Sequence, residues 1–397
     1  MRVYFAPCGI ALGHAGRCIP VAKALRSIGD EIFFSTYGEA VQFVKKASFP
    51  VGVVPPIRVF EKEDGEFDFR RTLSIGPKNL YTFALQVGAE LSLIEHFKPD
   101  VVVSDSRLST VLASRMRRIV SVLILHQLRI MIPHKRPIVR KSKLRVKANV
   151  ERLGLEILGS LWKMSRVIVV PDFPPPYTIA KANVVPSNQY IEKLRLVGPV
   201  IPKHPDDLPE QEELKHSLGF DDRPLIFAAI SGTKAEKLMI TKTISEIFRG
   251  FPDRYNIVLS RGLSDVPNTE TKLNGGRLRI YNWVDDRYKY LKACDLLVTR
   301  GGHNTVGEAI YYGKPMVVIP TIAHSEHQGI AESVEKMEIG RKIQQYDLSK
   351  ETLCRAVDEV MNSESCLRSV RAAQRFARRF NAIDSIVKIT REVAGKG

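Results

Sequence analysis

Three segments of this sequence place small, charged and hydroxyl-bearing residues where an apolar run gives way to a helical pattern. Thr299-Arg300-Gly301-Gly302-His303-Asn304-Thr305-Val306-Gly307-Glu308 follows the apolar run Leu296–Val298 and opens a helix. Two glycines let the backbone approach a ligand, helix N-terminal N–H groups attract a phosphate, and Arg300 offers a planar charged fork. Glu308, one turn further in, is placed to accept hydrogen bonds from two ribose hydroxyls. The spacing Thr305-x-x-Glu308 also reads as an ordinary capping box. In the second segment His327 and Gln328 come to a helix start after the run Met316–Ile319, which suits sugar hydroxyls. Ser325-x-x-Gln328 is again a capping-box spacing. The third segment, Ser231-Gly232-Thr233, offers hydroxyls and backbone N–H groups to a diphosphate, although such turns are common without a ligand.

A fourth segment lies near the start. Gly9 to Arg17 follows the first apolar run and carries Gly13, His14 and Arg17, with Gly13 and Arg17 expected on the acceptor side. A neutral imidazole at His14 can take a proton from an acceptor hydroxyl as a general base. A lone histidine in a loop is more often a surface or capping residue. Asp105 ends the run Val101–Ser104, where it either fixes the imidazole tautomer or caps the helix Leu108–Arg117.

The elements that must hold these loops alternate between β-branched runs and helical patterns, the pattern of parallel α/β units. Val3–Ala6, Glu31–Ser35 and Val101–Ser104 read as strands in the first half, with helices at Pro20–Ile28 and Val111–Arg117. Strands are expected at Leu225–Ser231, Ile257–Ser260, Leu278–Tyr281, Leu296–Thr299 and Met316–Ile319. Lys234–Phe248, Thr305–Tyr312, Gln328–Met337 and Lys350–Met361 read as helices, and Cys366–Val393 as a basic helical stretch that packs back on the first half. A Pro- and Gly-punctuated linker is expected from Val197 to Pro209. The expected fold is α/β, two doubly wound parallel-sheet domains facing across a cleft. Their bounds are 1–199 and 200–365, with 366–397 as the returning helix. In open α/β sheets ligands bind beyond the carboxyl ends of the strands, where all four segments lie.

The chain has 397 residues, 60 Lys plus Arg against 43 Asp plus Glu, and a formal charge of +17. That excess is concentrated before residue 200, where the net is +14 against +3 afterwards. From Arg129 to Lys147 eight basic residues (Arg129, Lys135, Arg136, Arg140, Lys141, Lys143, Arg145, Lys147) stand with no acid, interleaved with Ile and Val. One reading is a solvated face; the sharper one is a surface for polyanions. Aliphatic spacing favours anionic lipid headgroups, and the absence of stacking aromatics argues against nucleic acid. No apolar run reaches the roughly 18 residues a spanning helix needs. The five cysteines form no C-x-x-C pair, so a reducing cytosol and no zinc site are expected.

Residues 282–328 resemble the nucleotide-sugar site of the GT-B glycosyltransferases, in an order similar to MurG and to plant UDP-glycosyltransferases. A further likeness is to the eukaryotic enzyme that builds the lipid-linked chitobiose unit. Overlay on the plant His-Cys-Gly-Trp-Asn-Ser…Glu signature runs through Arg300, Gly301, Gly302, His303, Asn304 and Thr305 to Glu308. The resemblance implies that Glu308 holds the ribose and that Arg300, Asn304 and Thr305 surround the phosphates. It also implies that Gln328, beside His327, holds the sugar and that the backbone at Val284 meets uracil. Asp285-Asp286, which would otherwise suggest a metal, falls in that base-binding loop. In the first half Leu12-Gly13-His14 resembles the family's Gly-x-Gly-His loop, and Asp105 matches the plant aspartate that orients the catalytic histidine.

Together these readings imply an inverting, metal-independent transferase with no cofactor, for which a UDP-sugar is the donor substrate. The implied acceptor is lipid-linked, such as a polyprenyl-diphosphate sugar receiving GlcNAc, met on the cytoplasmic face of an anionic membrane. A diacylglycerol-directed glycolipid synthase is the close rival. A UDP-GlcNAc 2-epimerase is the more distant one, because its Thr-Glu-Arg-Pro-Glu stretch is absent.

Overall fold

The structure is a computed structural model, and it describes residues 1–10, 12–57, 76–129, 141–184, 189–263, 266–322 and 324–395. The first half runs β1 (Arg2–Pro7), α1 (Gly13–Ser27), β2 (Glu31–Thr36), α2 (Glu39–Lys46), β3 (Val51–Val53) and α3 (Gly76–Phe97). It continues with β4 (Val101–Asp105), α4 (Leu108–Met116), β5 (Val120–Ile124), α5 (Lys141–Trp162), β6 (Val167–Val170) and β7 (Leu194–Leu196). Its strands form one sheet in the order β3-β2-β1-β4-β5-β6-β7, parallel throughout. A sheet covered on both faces demands continuous apolar runs, which Val101–Val103 and Val122–Ile124 supply, all of them buried.

The second half begins with α6 (Gln211–Ser217), β8 (Leu225–Ala229), α7 (Lys234–Arg249), β9 (Asn256–Ser260), β10 (Glu270–Leu273) and β11 (Leu278–Tyr281). Then come α8 (Arg287–Ala293), β12 (Leu296–Thr299), α9 (His303–Tyr312), β13 (Met316–Val318), α10 (Ser325–Lys336) and β14 (Gly340–Lys342). The sheet order is β10-β11-β9-β8-β12-β13-β14, with β10 the antiparallel edge strand.

Both sheets reverse their order at one point, between β1 and β4 in the first and between β8 and β12 in the second. At such a reversal adjacent loops diverge to opposite faces and leave a crevice. His14 and Asp105 follow the first pair, and Ser231 and Arg300 follow the second. Register places Pro7 opposite Asp105, and the Cys8 N–H donates to the Asp105 carbonyl at 3.0 Å.

Two expectations need correction. Helix α1 starts at Gly13, not near Pro20, so Pro20 lies inside it and Gly13 and His14 form its first turn. No side chain caps that start, so the usual Ser/Thr/Asp/Asn signal is missing from the sequence. The C-terminal stretch is two helices rather than one. Helix α11 (Lys350–Met361) is followed by α12 (Glu364–Ala377), whose Cys366, Val370, Ala373 and Ala377 join the second core. Helix α13 (Ala382–Val393) is capped by the Asn381 side chain and places Ala382 and Ile386 in the first core against α1. The chain therefore passes between the halves twice, before β8 and again after α12. The two passages touch, since a Cβ added to Gly198 (φ +80°) would lie 2.7 Å from Phe380 Cβ.

Candidate active site

His14 and Asp105 meet. His14 Nδ1 lies 2.8 Å from Asp105 Oδ1, and Asp105 is fully buried. Helix α4 is entered from Arg107 with no side-chain cap, so Asp105 is not its cap. Arg17, expected on the acceptor side, is buried behind His14, where its Nε donates to Asp105 Oδ2 at 2.5 Å and its Nη2 to Oδ1 at 2.6 Å. Burial alone would raise the Asp105 pKa, but the Arg17 charge and the hydrogen bonds from Arg17 and His14 overcome it and hold the carboxyl well below its usual range. An ionised carboxylate fixed by a guanidinium is a stable platform for the imidazole. With Nδ1–H directed at Asp105, the Nε2 lone pair of His14 is the free base.

Gly13 faces the second half directly, because Asn304 Nδ2 donates to its carbonyl at 3.0 Å. Asn304 belongs to the first turn of α9, which is preceded by Gly302 with no side-chain cap. Thr305 therefore sits within the helix and does not form the capping box with Glu308. Glu308 is buried and bonded to Arg287 and, at 3.1 Å, to the Tyr288 hydroxyl. Burial raises its pKa against the opposing pull of Arg287. The donor loops are stitched closely at two glycines. A Cβ on Gly301 (φ +81°) would lie 3.2 Å from the His327 carbonyl, and one on Gly302 would lie 3.1 Å from Ser231 Oγ.

Arg300 is almost completely buried; its Nη2 donates to Thr321 Oγ1 at 2.6 Å and Gln345 Oε1 at 2.8 Å. Its Nε and Nη1, with Ser231 Oγ and Thr299 Oγ1, are buried without a protein partner. Unpaired buried donors are costly, so this cluster is poised for an acceptor-rich ligand such as a phosphate. Burial lowers the Arg300 pKa to about 10, with Glu236 opposing, and the group stays charged.

In the third segment Thr233 forms a capping box with Glu236 at the start of α7, a pairing not among the expectations. In the second segment His324, not Ser325, caps α10 by accepting the His327 N–H. His327 is buried, stacks on His324 at 3.9 Å between ring centres and lies 3.0 Å from Thr321 Oγ1. Gln328 is paired with Gln344. Val284, in the loop that opens α8, is buried.

Several residues at the cleft carried no expectation. His126 follows β5, and its Nε2 stands 3.2 Å from Glu326 Oε1 of α10, while Gln127 Nε2 donates to Glu326 Oε2. His303, expected at the donor, turns toward the first half, 3.2 Å from Asp172 Oδ2 and 5.5 Å ring to ring from His126. His126 could have been found by the rule that selected Asp105, because it too ends a parallel strand. Arg287 carried no motif.

Of the basic segment, Arg129 and Arg145 are exposed, and Lys147 lies 3.6 Å from Glu151. Lys135, Arg136 and Arg140 fall outside the described residues, as do the side chains of Lys141 and Lys143. Among the described residues, no helix is long and apolar enough to cross a membrane, and the cysteines are free.

Residues 230–385 match the glycosyltransferase family 28 C-terminal domain. A Methanosarcina mazei protein described as an uncharacterized glycosyltransferase is 27% identical over 398 residues, spanning 100% of this chain and 99% of its own. The chain is a glycosyltransferase of GT-B fold whose second half carries the family 28 domain. A shorter likeness to this glycosyltransferase, 24% identity over 152 residues, comes from Thermosipho africanus. That relative is a UDP-N-acetylglucosamine–N-acetylmuramyl-(pentapeptide) pyrophosphoryl-undecaprenol N-acetylglucosamine transferase, with 38% of this chain and 43% of its own covered. Among solved structures, the glycosyltransferase of kitacinnamycin superposes with a TM-score of 0.70 at 17% identity, over 99% of this chain and 98% of its own. The family 28 match covers the loops from Ser231 to Gln328, and the structural likeness extends the fold through the half that holds His14.

Proposed function

We propose that this glycosyltransferase moves a sugar, with inversion, from a UDP-sugar to a lipid-linked acceptor on the cytoplasmic face of an anionic membrane. The observation that carries the reading is the His14–Asp105 pair, 2.8 Å apart, standing where the Asn304 side chain reaches across to Gly13. An acceptor hydroxyl bound in the cleft gives its proton to His14 Nε2 as its oxygen attacks the anomeric carbon. The diphosphate leaves toward the N-terminus of α9 and the unpaired Arg300 N–H groups, which stabilise its developing charge. Glu308, on exchanging Arg287 for the ribose hydroxyls, fixes the nucleoside, and Gln328 with His327 holds the sugar. GlcNAc is the favoured sugar, in keeping with the Thermosipho relative's donor.

The lipid-linked acceptor rests on charge and on helix α5. Val146, Val150, Leu153 and Ile157 recur on one face of α5 and are all at least half exposed. Arg145 and Arg152 are exposed beside them. An exposed aliphatic stripe flanked by cations suits shallow insertion among anionic headgroups. The relative's pyrophosphoryl-undecaprenol acceptor has the same chemistry, an anionic headgroup on a long hydrocarbon.

The test is transfer of radiolabel from UDP-GlcNAc, UDP-glucose and UDP-galactose into a total lipid extract. Label from UDP-GlcNAc in an acid-labile, alkali-stable lipid supports the reading. Label in an alkali-labile acylglycerol makes the protein a glycolipid synthase, and label confined to water-soluble product removes the lipid acceptor.

A further inference from the structure

One nitrogen behind the proposed base has more neighbours than hydrogens. Arg17 Nη2 lies 2.6 Å from Asp105 Oδ1, 2.8 Å from His14 Nδ1 and 3.0 Å from His126 Nδ1. A guanidinium NH₂ carries two hydrogens and accepts nothing. Asp105, as the anion, takes one. The second goes either to His14 Nδ1 or to His126 Nδ1, and the choice matters. If His14 Nδ1 accepts it, the imidazole hydrogen moves to Nε2, and His14 has no lone pair to offer the acceptor. If His126 Nδ1 accepts it, His14 keeps Nδ1–H toward Asp105 and Nε2 is the base.

What decides is how firmly His126 is held. Its ring is buried, 5.7 Å from the His14 ring and 5.5 Å from that of His303. With Nδ1 accepting from Arg17, the neutral imidazole carries its hydrogen on Nε2, which faces Glu326 Oε1 at 3.2 Å. Glu326 belongs to the first turn of α10, where the helix dipole favours an anion, and Gln127 donates to its other oxygen. The other charged or titratable groups around this line are the Cys18 thiol 3.6 Å from Asp105 Oδ2, Asp172 behind His303, and His324 and His327 on the approach to and first turn of α10. Glu326 is the sole member of the Arg17–His126–Glu326 line contributed by the second half. It comes from the helix that also carries His327 and Gln328.

We propose that His126, clamped by Glu326 from across the cleft, is a positioning residue that selects the base-competent tautomer of His14. The donor-carrying half thereby arms the base when it faces the acceptor half. This rests on His14 acting as the base in the transfer proposed above. It adds residues and a coupling which that reading does not require.

The experiment uses the full-length protein labelled with ¹⁵N-histidine, alone and as His126→Phe, Glu326→Ala and Glu326→Gln, with His14→Gln to assign the His14 signals. In the parent His14 is expected as the Nδ1–H tautomer. In His126→Phe and Glu326→Ala the Nε2–H form should become the major species, and Glu326→Gln, which keeps an oxygen for His126 Nε2–H, should restore most of the parent pattern. In the transfer assay the first two variants should lose about tenfold or more in kcat with donor KM within threefold, and the double variant His126→Phe with Glu326→Ala should be no worse than either single. An unchanged His14 tautomer in both variants overturns the proposal, and so does an additive double variant. The spectra need no turnover. A parent that transfers no sugar therefore retires the transferase reading, while the tautomer still decides this one.

Discussion

His14 works as a base only while its hydrogen stays on the Asp105 side, so its contribution belongs to the rate and not to donor binding. A general base contributes about 10²–10⁴ in turnover, and His14→Ala is expected to lose that much while UDP affinity, measured by calorimetry, stays within twofold. Turnover within a few-fold of the parent would assign the proton to another group. Glu308 carries the complementary prediction. Its carboxylate is already desolvated and ordered by Arg287 and Tyr288, so little reorganisation precedes binding. Glu308→Ala should weaken UDP binding by about 1.5–3 kcal/mol, the range for a hydrogen bond to a charged group. Unaltered calorimetric affinity in a folded variant would move the ribose elsewhere. At this scale the sequence was partly readable. Asp105 and His14 could be paired because Asp105 ends one strand and His14 lies on the connection that follows another, whereas Arg17 hid inside an unsignalled helix turn and Arg287 belonged to no motif. The link from His126 to Glu326 spans 200 residues, a separation over which local patterns carry no information.

Strand β5 and helix α10 meet through that pair, and acid should loosen them. Burial lowers the His126 pKa to about 4, with Glu326 opposing and Arg17 and His303 adding to the shift, whereas an unfolded histidine titrates near 6.5. Between those values the unfolded chain binds more protons than the folded one. The contribution is therefore complete above about pH 6.5 and is lost as the pH falls toward 4. His327, also lowered by burial, acts in the same direction. The parent should lose about 1–2 kcal/mol more stability between pH 7 and pH 5 than His126→Phe, read from urea midpoints at the two pH values. Equal losses would show that His126 already titrates normally in the folded state. Elements themselves were legible wherever an apolar run ended in a glycine or a cap: Leu278–Tyr281, Leu296–Thr299 and Lys350–Met361 agree with their expected bounds to the residue. Short strands such as Gly340–Lys342 gave no signal, because three residues cannot show a period.

For the whole molecule, the charge division between the halves matters most at a membrane. The first half carries +14 of the +17 and presents the exposed stripe of α5. Anionic vesicles should therefore sediment the protein and neutral ones should not, with attraction of about 1 kcal/mol for each Lys or Arg held at the surface. Changing Val150, Leu153 and Ile157 together to Ser should leave binding that high salt releases completely, because only the electrostatic part remains. Salt-resistant binding by that triple variant would place the apolar contact elsewhere. The two-sheet architecture was visible from alternation alone. The return of the chain to its first half was expected, but not its division into two helices of which only the last returns, because composition reports helicity and not the partner against which each helix packs.

That return has a mechanical consequence. Two chain passages side by side, with Gly198 against Phe380, are built as a paired crossing and not as a single loose tether, the geometry expected of a hinge with a fixed axis. Any relative motion of the halves is expected to be opening and shutting along one arc, with sliding or twisting resisted. Contacts at the rim, Asn304 on Gly13 and Glu326 on His126, should then re-form in the same register after any opening, so substrate exchange need not scramble the catalytic geometry. Gly198→Ala would set a methyl group into that axis. Small-angle scattering should then find a changed distribution of opening angles, with the cores of both halves intact.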